Sequence, residues 1–91
     1  MNEIQFTRNI DKVLVSAAVD ALSIIGAWHV VIRRDKAISY VKNYNKSPSE
    51  GFYEHGGSVT LSHEAGKITF ATQEADAIIA LIREVYMSKG H

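Results

Sequence analysis

The chain has 91 residues, 46% of them hydrophobic, and its ten basic side chains balance ten acidic ones. A length of this order closes one core, so we expect a single domain over residues 1–91. The chain is too apolar to be disordered, and its zero net charge argues against a protein that binds polyanions through its whole surface. No cysteine is present, which excludes disulfides, a thiol nucleophile and a zinc–thiolate site.

The first predicted elements are a short strand and a long helix. Glu3 to Thr7 alternates apolar and polar residues, which is the pattern of a strand. From Ile10 to Ile25 apolar residues recur every three or four positions, which predicts an amphipathic helix. Val15, Val19 and Leu22 widen its apolar surface beyond one stripe, so we expect this helix to be buried on two sides.

Two hairpins are predicted next. Trp28 to Tyr44 is rich in β-branched and aromatic residues, and it predicts a hairpin with Asp35-Lys36 at the turn. Asn45 to Gly57 contains the one proline and three of the six glycines, so it predicts a loop. Ser58 to Thr72 predicts a second hairpin that turns through Glu64-Ala65-Gly66.

A final helix completes the predicted fold. Thr72 suits its N-cap, and Glu74 and Asp76 suit its first turn. The order is then (β)αββββα, an α+β class in which two hairpins form an antiparallel sheet with the helices packed on one face. The predicted buried stripe of the final helix consists of Ala75, Ile78, Ile79, Ile82 and Val85 or Tyr86.

The first hairpin would bring cations and aromatic rings to the sheet face away from the helices. Residues 28–46 carry five cations and one acid. Cations neutralise backbone phosphates and tyrosine rings stack on bases, although the same residues also suit an ordinary solvated strand. The pattern predicts binding of single-stranded nucleic acid through Arg33, Tyr40, Lys42, Tyr44 and Lys67.

One resemblance supports that hypothesis. The segment KITFATQEADAIIALI, within the stretch from His29 to Lys89, resembles the strand and following helix of the transcriptional-coactivator and whirly-type single-stranded-DNA-binding folds. The resemblance implies a curved sheet, a dimer, and basic and aromatic strand residues that hold the DNA. The predicted leading helix and the acidic second hairpin depart from that outline.

Neither a metal site nor a catalytic site is predicted. The four histidines, at positions 29, 55, 63 and 91, show no metal-ligand spacing. No nucleophile elbow occurs, and the glycine pair at 56–57 does not open a helix. We therefore expect a non-enzymatic protein without a metal or cofactor. His63 falls among the alternating residues of the second predicted hairpin that face the core, next to the turn. We therefore expect its side chain to be tucked against the protein and hydrogen-bonded.

A protein-interaction function stays open as the alternative. Phe52, Tyr53 and Glu54 lie in the glycine-containing predicted loop, and exposed loop aromatics anchor protein partners. The chain would then be an interaction module or inhibitor, of the small accessory kind that phages and mobile elements encode. The opposite interpretation is that both rings fold back over the core.

The remaining expectations concern compartment and assembly. No apolar stretch is long enough for a membrane span and no secretory signal is recognised, so we expect a cytoplasmic protein without membrane contact. The absence of cysteine fits a reducing compartment. The short chain and the wide apolar surface of the predicted first helix favour a homodimer.

Overall fold

The computed structural model describes residues 2–8, 11–26, 29–64 and 66–88, and it contains two antiparallel sheets and two helices. The predicted α+β class is confirmed. The first sheet contains, side by side in chain order, β1 (Glu3–Arg8), β2 (Asp11–Ala17), β3 (Ala21–Ile25) and β4 (His29–Arg33). The second sheet contains β5 (Gly51–His55), β6 (Ser58–His63) and β7 (Gly66–Ala71). Helix α1 (Arg34–Lys42) joins the sheets, and helix α2 (Thr72–Ile82) continues into a π-helical segment, Arg83–Met87.

The predicted leading helix is wrong, because the segment forms strands β2 and β3. Burial alternates along β2, where Val13, Val15 and Ala17 are enclosed, and again along β3 at Leu22 and Ile24. Such alternation is the period of a strand, and the β-branched valines and isoleucines favour it. Apolar residues also occur on the outer face of these strands. Counted together with the buried residues, they recur every three or four positions, which is the spacing that predicted a helix.

The predicted first hairpin is wrong in its second half. β4 is a strand, but α1 begins at Arg34, and no turn forms at Asp35-Lys36. Ala37, Tyr40 and Val41 are the buried residues of α1, and their spacing of three and one is that of a helix face. An acid in the first turn and a lysine in the last turn further favour the helix through its dipole.

The predicted loop from Asn45 to Gly57 contains strand β5, so that prediction is wrong for residues 51–55. The second hairpin is confirmed: Val59 lies opposite Phe70, and all the apolar positions of its inner face are buried. The final helix is also confirmed, although its N-cap is Ala71, whose N–H donates to Oε1 of Glu74 at 2.9 Å.

Both helices contact both sheets. Helix α1 packs against β3, β4 and β5, whereas α2 packs against β1, β2, β6 and β7. The buried residues of these elements form one hydrophobic cluster, which covers one face of the first sheet and leaves its outer face to solvent. Among the described residues, no helix is long and apolar enough to cross a membrane.

Candidate functional site

The five residues predicted to bind nucleic acid do not share a sheet face. Tyr40 lies on α1 and is only 4% exposed, while Tyr44 is half-buried in the following turn, with its ring centroid 6.3 Å from that of Phe52. Arg33 ends β4, Lys42 ends α1, and Lys67 lies on β7. These three cations are exposed. The predicted open platform of stacked tyrosines is therefore absent from the described part of the chain.

The three residues predicted to bind a protein partner lie on β5 rather than in a loop. Phe52 is a core residue with 1% exposure, and Tyr53 is half-buried. Glu54 is exposed, and its backbone N–H donates to Oδ1 of Asn45 at 2.9 Å. The interpretation in which the rings cover the core is correct for Phe52.

Strand β4 forms a free edge of the first sheet, because β3 is its one neighbour in the sheet order. The N–H of Arg34 donates to the carbonyl of Asp20, next to β3, at 2.8 Å. Because successive N–H groups of a strand point to opposite sides, every second N–H of β4 counted back from Arg34 points toward β3. The backbone N–H groups of His29, Val31 and Arg33 consequently point away from β3. An edge of this kind can pair with another strand.

Exposed apolar side chains lie beside that edge. Val31 is 51% exposed and Ile25 is 42% exposed, both on the sheet face opposite the core. Val31 lies opposite Ser23, so Ile25 is its diagonal neighbour, and Leu14 lies opposite Ile25 on the next strand. We call the free edge of β4 together with Val31 and Ile25 the β4 surface.

The edge at β5 in the second sheet is partly covered by its own chain. The N–H of Asn45 donates to the carbonyl of Phe52 at 2.8 Å, and the Asn45 side chain accepts from Glu54. These two bonds occupy backbone groups that would otherwise be free to pair with a strand. No comparable cover over β4 is found in the described part of the chain.

A cleft of about 410 Å³ begins beside the end of β4 and reaches the turn between β6 and β7. At its base the hydroxyl of Tyr40 lies 2.7 Å from Nδ1 of His63, and the two rings pack edge to face. The predicted tucked, hydrogen-bonded His63 is confirmed. We call this the Tyr40 cleft; it is lined by Val31, Arg33, Asp35, Lys36, Tyr40, Glu50, His63 and Glu64.

The environment of Tyr40 favours its neutral hydroxyl. Burial, and after it the negative charges of Glu50 and Glu64, together raise the pKa of Tyr40 to about 12. The hydroxyl therefore keeps its hydrogen at neutral pH.

Ion pairs line the rim of the Tyr40 cleft. Nζ of Lys36 lies 3.2 Å from Oε2 of Glu50, and Nε of Arg33 lies 3.6 Å from Oδ1 of Asp35. The Arg33–Asp35 pair is largely exposed, so it adds little to stability. Sequence reasoning placed Tyr40 and His63 on different elements and missed their pairing, because no local pattern connects residues 23 positions apart.

No group of metal-ligating side chains is formed among the described residues. Comparisons of the chain with family models, with curated proteins and with solved structures give no significant match. The β4 surface and the Tyr40 cleft are the features of the described residues from which a function can be inferred.

Proposed function

We propose that this protein is a small non-enzymatic interaction module that binds protein through the β4 surface, and that a second copy of the chain is a partner. The observation that supports this proposal is the free edge of β4 beside Val31, which is 51% exposed. A large apolar side chain on an unprotected edge favours addition of another strand.

Two copies can pair at this edge with twofold symmetry. In an antiparallel arrangement centred on Val31, the outward backbone groups of each β4 meet those of the other copy. The two four-stranded sheets would join into one of eight strands. Val31 of each copy would lie against its equivalent, which removes apolar surface from water.

Proline substitution at the edge tests the proposal. Val31→Pro removes an outward N–H, so it should block strand addition, and Val31→Lys places a charge on the same edge while leaving the backbone intact. Sedimentation of the wild-type chain should give a dimer of twice the 10.1 kDa monomer mass, and both variants should sediment as monomers.

Gln5→Pro is the matched control, because Gln5 is an exposed residue of β1, the opposite edge strand, and its N–H points away from β2. This variant should still dimerise. Thermal melts establish that each variant is folded. A wild-type chain that stays monomeric at high concentration would contradict the homodimer, as would equal behaviour of Val31→Lys and wild type.

Binding of single-stranded nucleic acid stays a prediction and is the alternative function. Its remaining support is the exposure of Arg33, Lys42 and Lys67, which lie on three different elements. Fluorescence anisotropy with a labelled oligonucleotide at low salt tests it. Binding that weakens steeply with added salt would favour this alternative over the interaction module, because neutralised phosphates release counterions.

A further inference from the structure

Strand β4 carries an imidazole at one end of its free edge and a guanidinium at the other. Burial alternates along the strand, so that His29, Val31 and Arg33 are exposed on the outer face of the sheet while Ile32 is buried. The N–H groups of the same three exposed residues point away from β3, where an added strand would pair. The side chains that a partner strand would meet on this face therefore belong to these three positions.

Antiparallel pairing of two β4 strands about Val31 fixes which residues lie opposite each other. Val31 lies opposite its equivalent, and His29 of each copy lies opposite Arg33 of the other. This register pairs the whole strand, whereas a twofold axis at Val30 would pair only residues 29–31. The longest pairing therefore brings each imidazole to a guanidinium.

A neutral histidine and an arginine form a favourable pair in these positions. Residues directly opposite each other have Cβ atoms roughly 4.5–5.5 Å apart, and both side chains lie on the outer face. A neutral imidazole has one nitrogen with a lone pair in either tautomer, and a guanidinium has several N–H donors. Asp35 contacts Arg33 at Nε, 3.6 Å away, so donors at the far end of the guanidinium can reach the imidazole.

Protonation of His29 turns the same pair from attractive to repulsive. An imidazolium has no lone pair to accept a hydrogen bond, and like charges that lie directly opposite each other are destabilising. Asp35 lies beside Arg33, but this ion pair is largely exposed and offsets the repulsion only weakly. The described residues of β3 nearest to His29 on this face, Ile25 and Ser23, carry no charge. Twofold symmetry repeats the repulsion at both ends of the paired segment.

We propose that His29 and Arg33 of opposite copies form a pH-sensitive contact, so that the dimer assembles while His29 is neutral and dissociates in acid. This inference rests on the proposed pairing at β4. Histidine ordinarily changes its charge between pH 8 and pH 5. The proton binds His29 more readily in the monomer, where no guanidinium lies opposite the ring, so acidification shifts the equilibrium toward the monomer.

Sedimentation equilibrium between pH 8 and pH 5.5, at one low ionic strength, tests the proposal. The dissociation constant of the wild-type dimer should rise about tenfold on acidification, because a like-charge pair forms at each end of the paired segment. His29→Gln has a polar side chain that does not titrate, so its dissociation constant should be the same at both pH values. Thermal melts at each pH establish that the chains are folded.

His55→Gln is the matched control, because His55 is exposed on β5 and lies away from the β4 edge. This variant should keep the pH dependence of the wild type. Arg33→Glu should invert that dependence, since a protonated His29 then lies opposite a carboxylate and the dimer should be tighter in acid.

The outcomes separate this inference from the proposed function. A wild-type chain that stays monomeric at every pH would overturn the proposed function and this inference with it. A dimer that is equally tight at pH 8 and pH 5.5 would overturn this inference alone. Persistence of the wild-type pH dependence in His29→Gln, or its lack of inversion in Arg33→Glu, would do the same.

Discussion

Tyr40 shows how strongly the surroundings decide what one residue does. In the sequence it resembles a strand tyrosine available for stacking, but it lies on the buried face of α1. Its ring also lies against Gly51, where a Cβ atom would come within 3.1 Å of the ring. The hydroxyl is therefore a structural hydrogen-bonding group that positions His63.

The raised pKa of Tyr40 predicts a loss of stability in alkali. Because the folded pKa, about 12, lies above the ordinary value of 10.0, the folded chain holds its proton more tightly than the unfolded chain. Its contribution to stability is fully present below pH 10 and is lost as the pH rises through 12. Urea unfolding between pH 9 and 12 should show a falling free energy of unfolding.

Tyr40→Phe separates this effect from other alkaline titrations. The variant should be less stable at neutral pH by about 1–3 kcal/mol, because it leaves the buried side of His63 without its partner. Its stability should then fall less steeply with pH than that of wild type. Burial also raises the pKa of Tyr44 and Tyr86, so part of the slope should remain. An unchanged slope would show that Tyr40 does not titrate as described.

At the scale of elements, β5 is a strand that forms within a segment of loop-like composition. Gly51 begins it with φ of 86°, a conformation that glycine adopts readily, and Phe52 then enters the core opposite Leu61. A segment with proline and several glycines was predicted to be a loop. Only pairing with β6 supplies the hydrogen bonds that make it a strand.

Substitution of the two β5 aromatics should have unequal effects. Phe52→Ala leaves a cavity in the core and should reduce the free energy of unfolding by about 3–5 kcal/mol. Tyr53→Ala, at a half-buried position, should reduce it less. Urea denaturation of the two variants measures the difference. Equal and small losses would contradict the placement of Phe52 in the core.

For the whole molecule, Tyr86 links the end of the described chain to its first sheet. Its hydroxyl donates to the carbonyl of Ala18 at 2.6 Å, a contact between residues 68 positions apart. The guanidinium of Arg34 lies over the same ring, 5.4 Å from its centroid. The π-helical segment, the start of α1 and the connection between β2 and β3 therefore meet at one residue.

Tyr86→Phe should lower the free energy of unfolding by about 0.5–1.5 kcal/mol, since the ring and its packing remain while one hydrogen bond is lost. Exchange of the backbone amides near Ala18 should become faster. Hydrogen exchange measured by NMR, with wild type as reference, tests both expectations. Unchanged stability and exchange would mean that this bond does not join the two regions.

The sequence by itself determined those parts of the fold whose signals are local. The second hairpin was predictable because a turn separates two segments of period two, and α2 because an apolar stripe follows acids suited to a first turn. Strand β1 was predictable for the same reason. The prediction of a hydrogen-bonded His63 was likewise correct, because His63 falls on a core-facing position of the hairpin next to that turn.

Tertiary structure alone decided the rest. The run from Val13 to Ile25 satisfies helical and strand spacing equally well, and only pairing with β1 and β4 selects strands. Strand β4 ends at Arg33, and the residues after it form helix α1. This helix buries Ala37, Tyr40 and Val41 against both sheets. The Tyr40 cleft and the β4 surface both follow from these long-range contacts. No local pattern could predict them, because the groups that form them are brought together by packing and are separated along the chain.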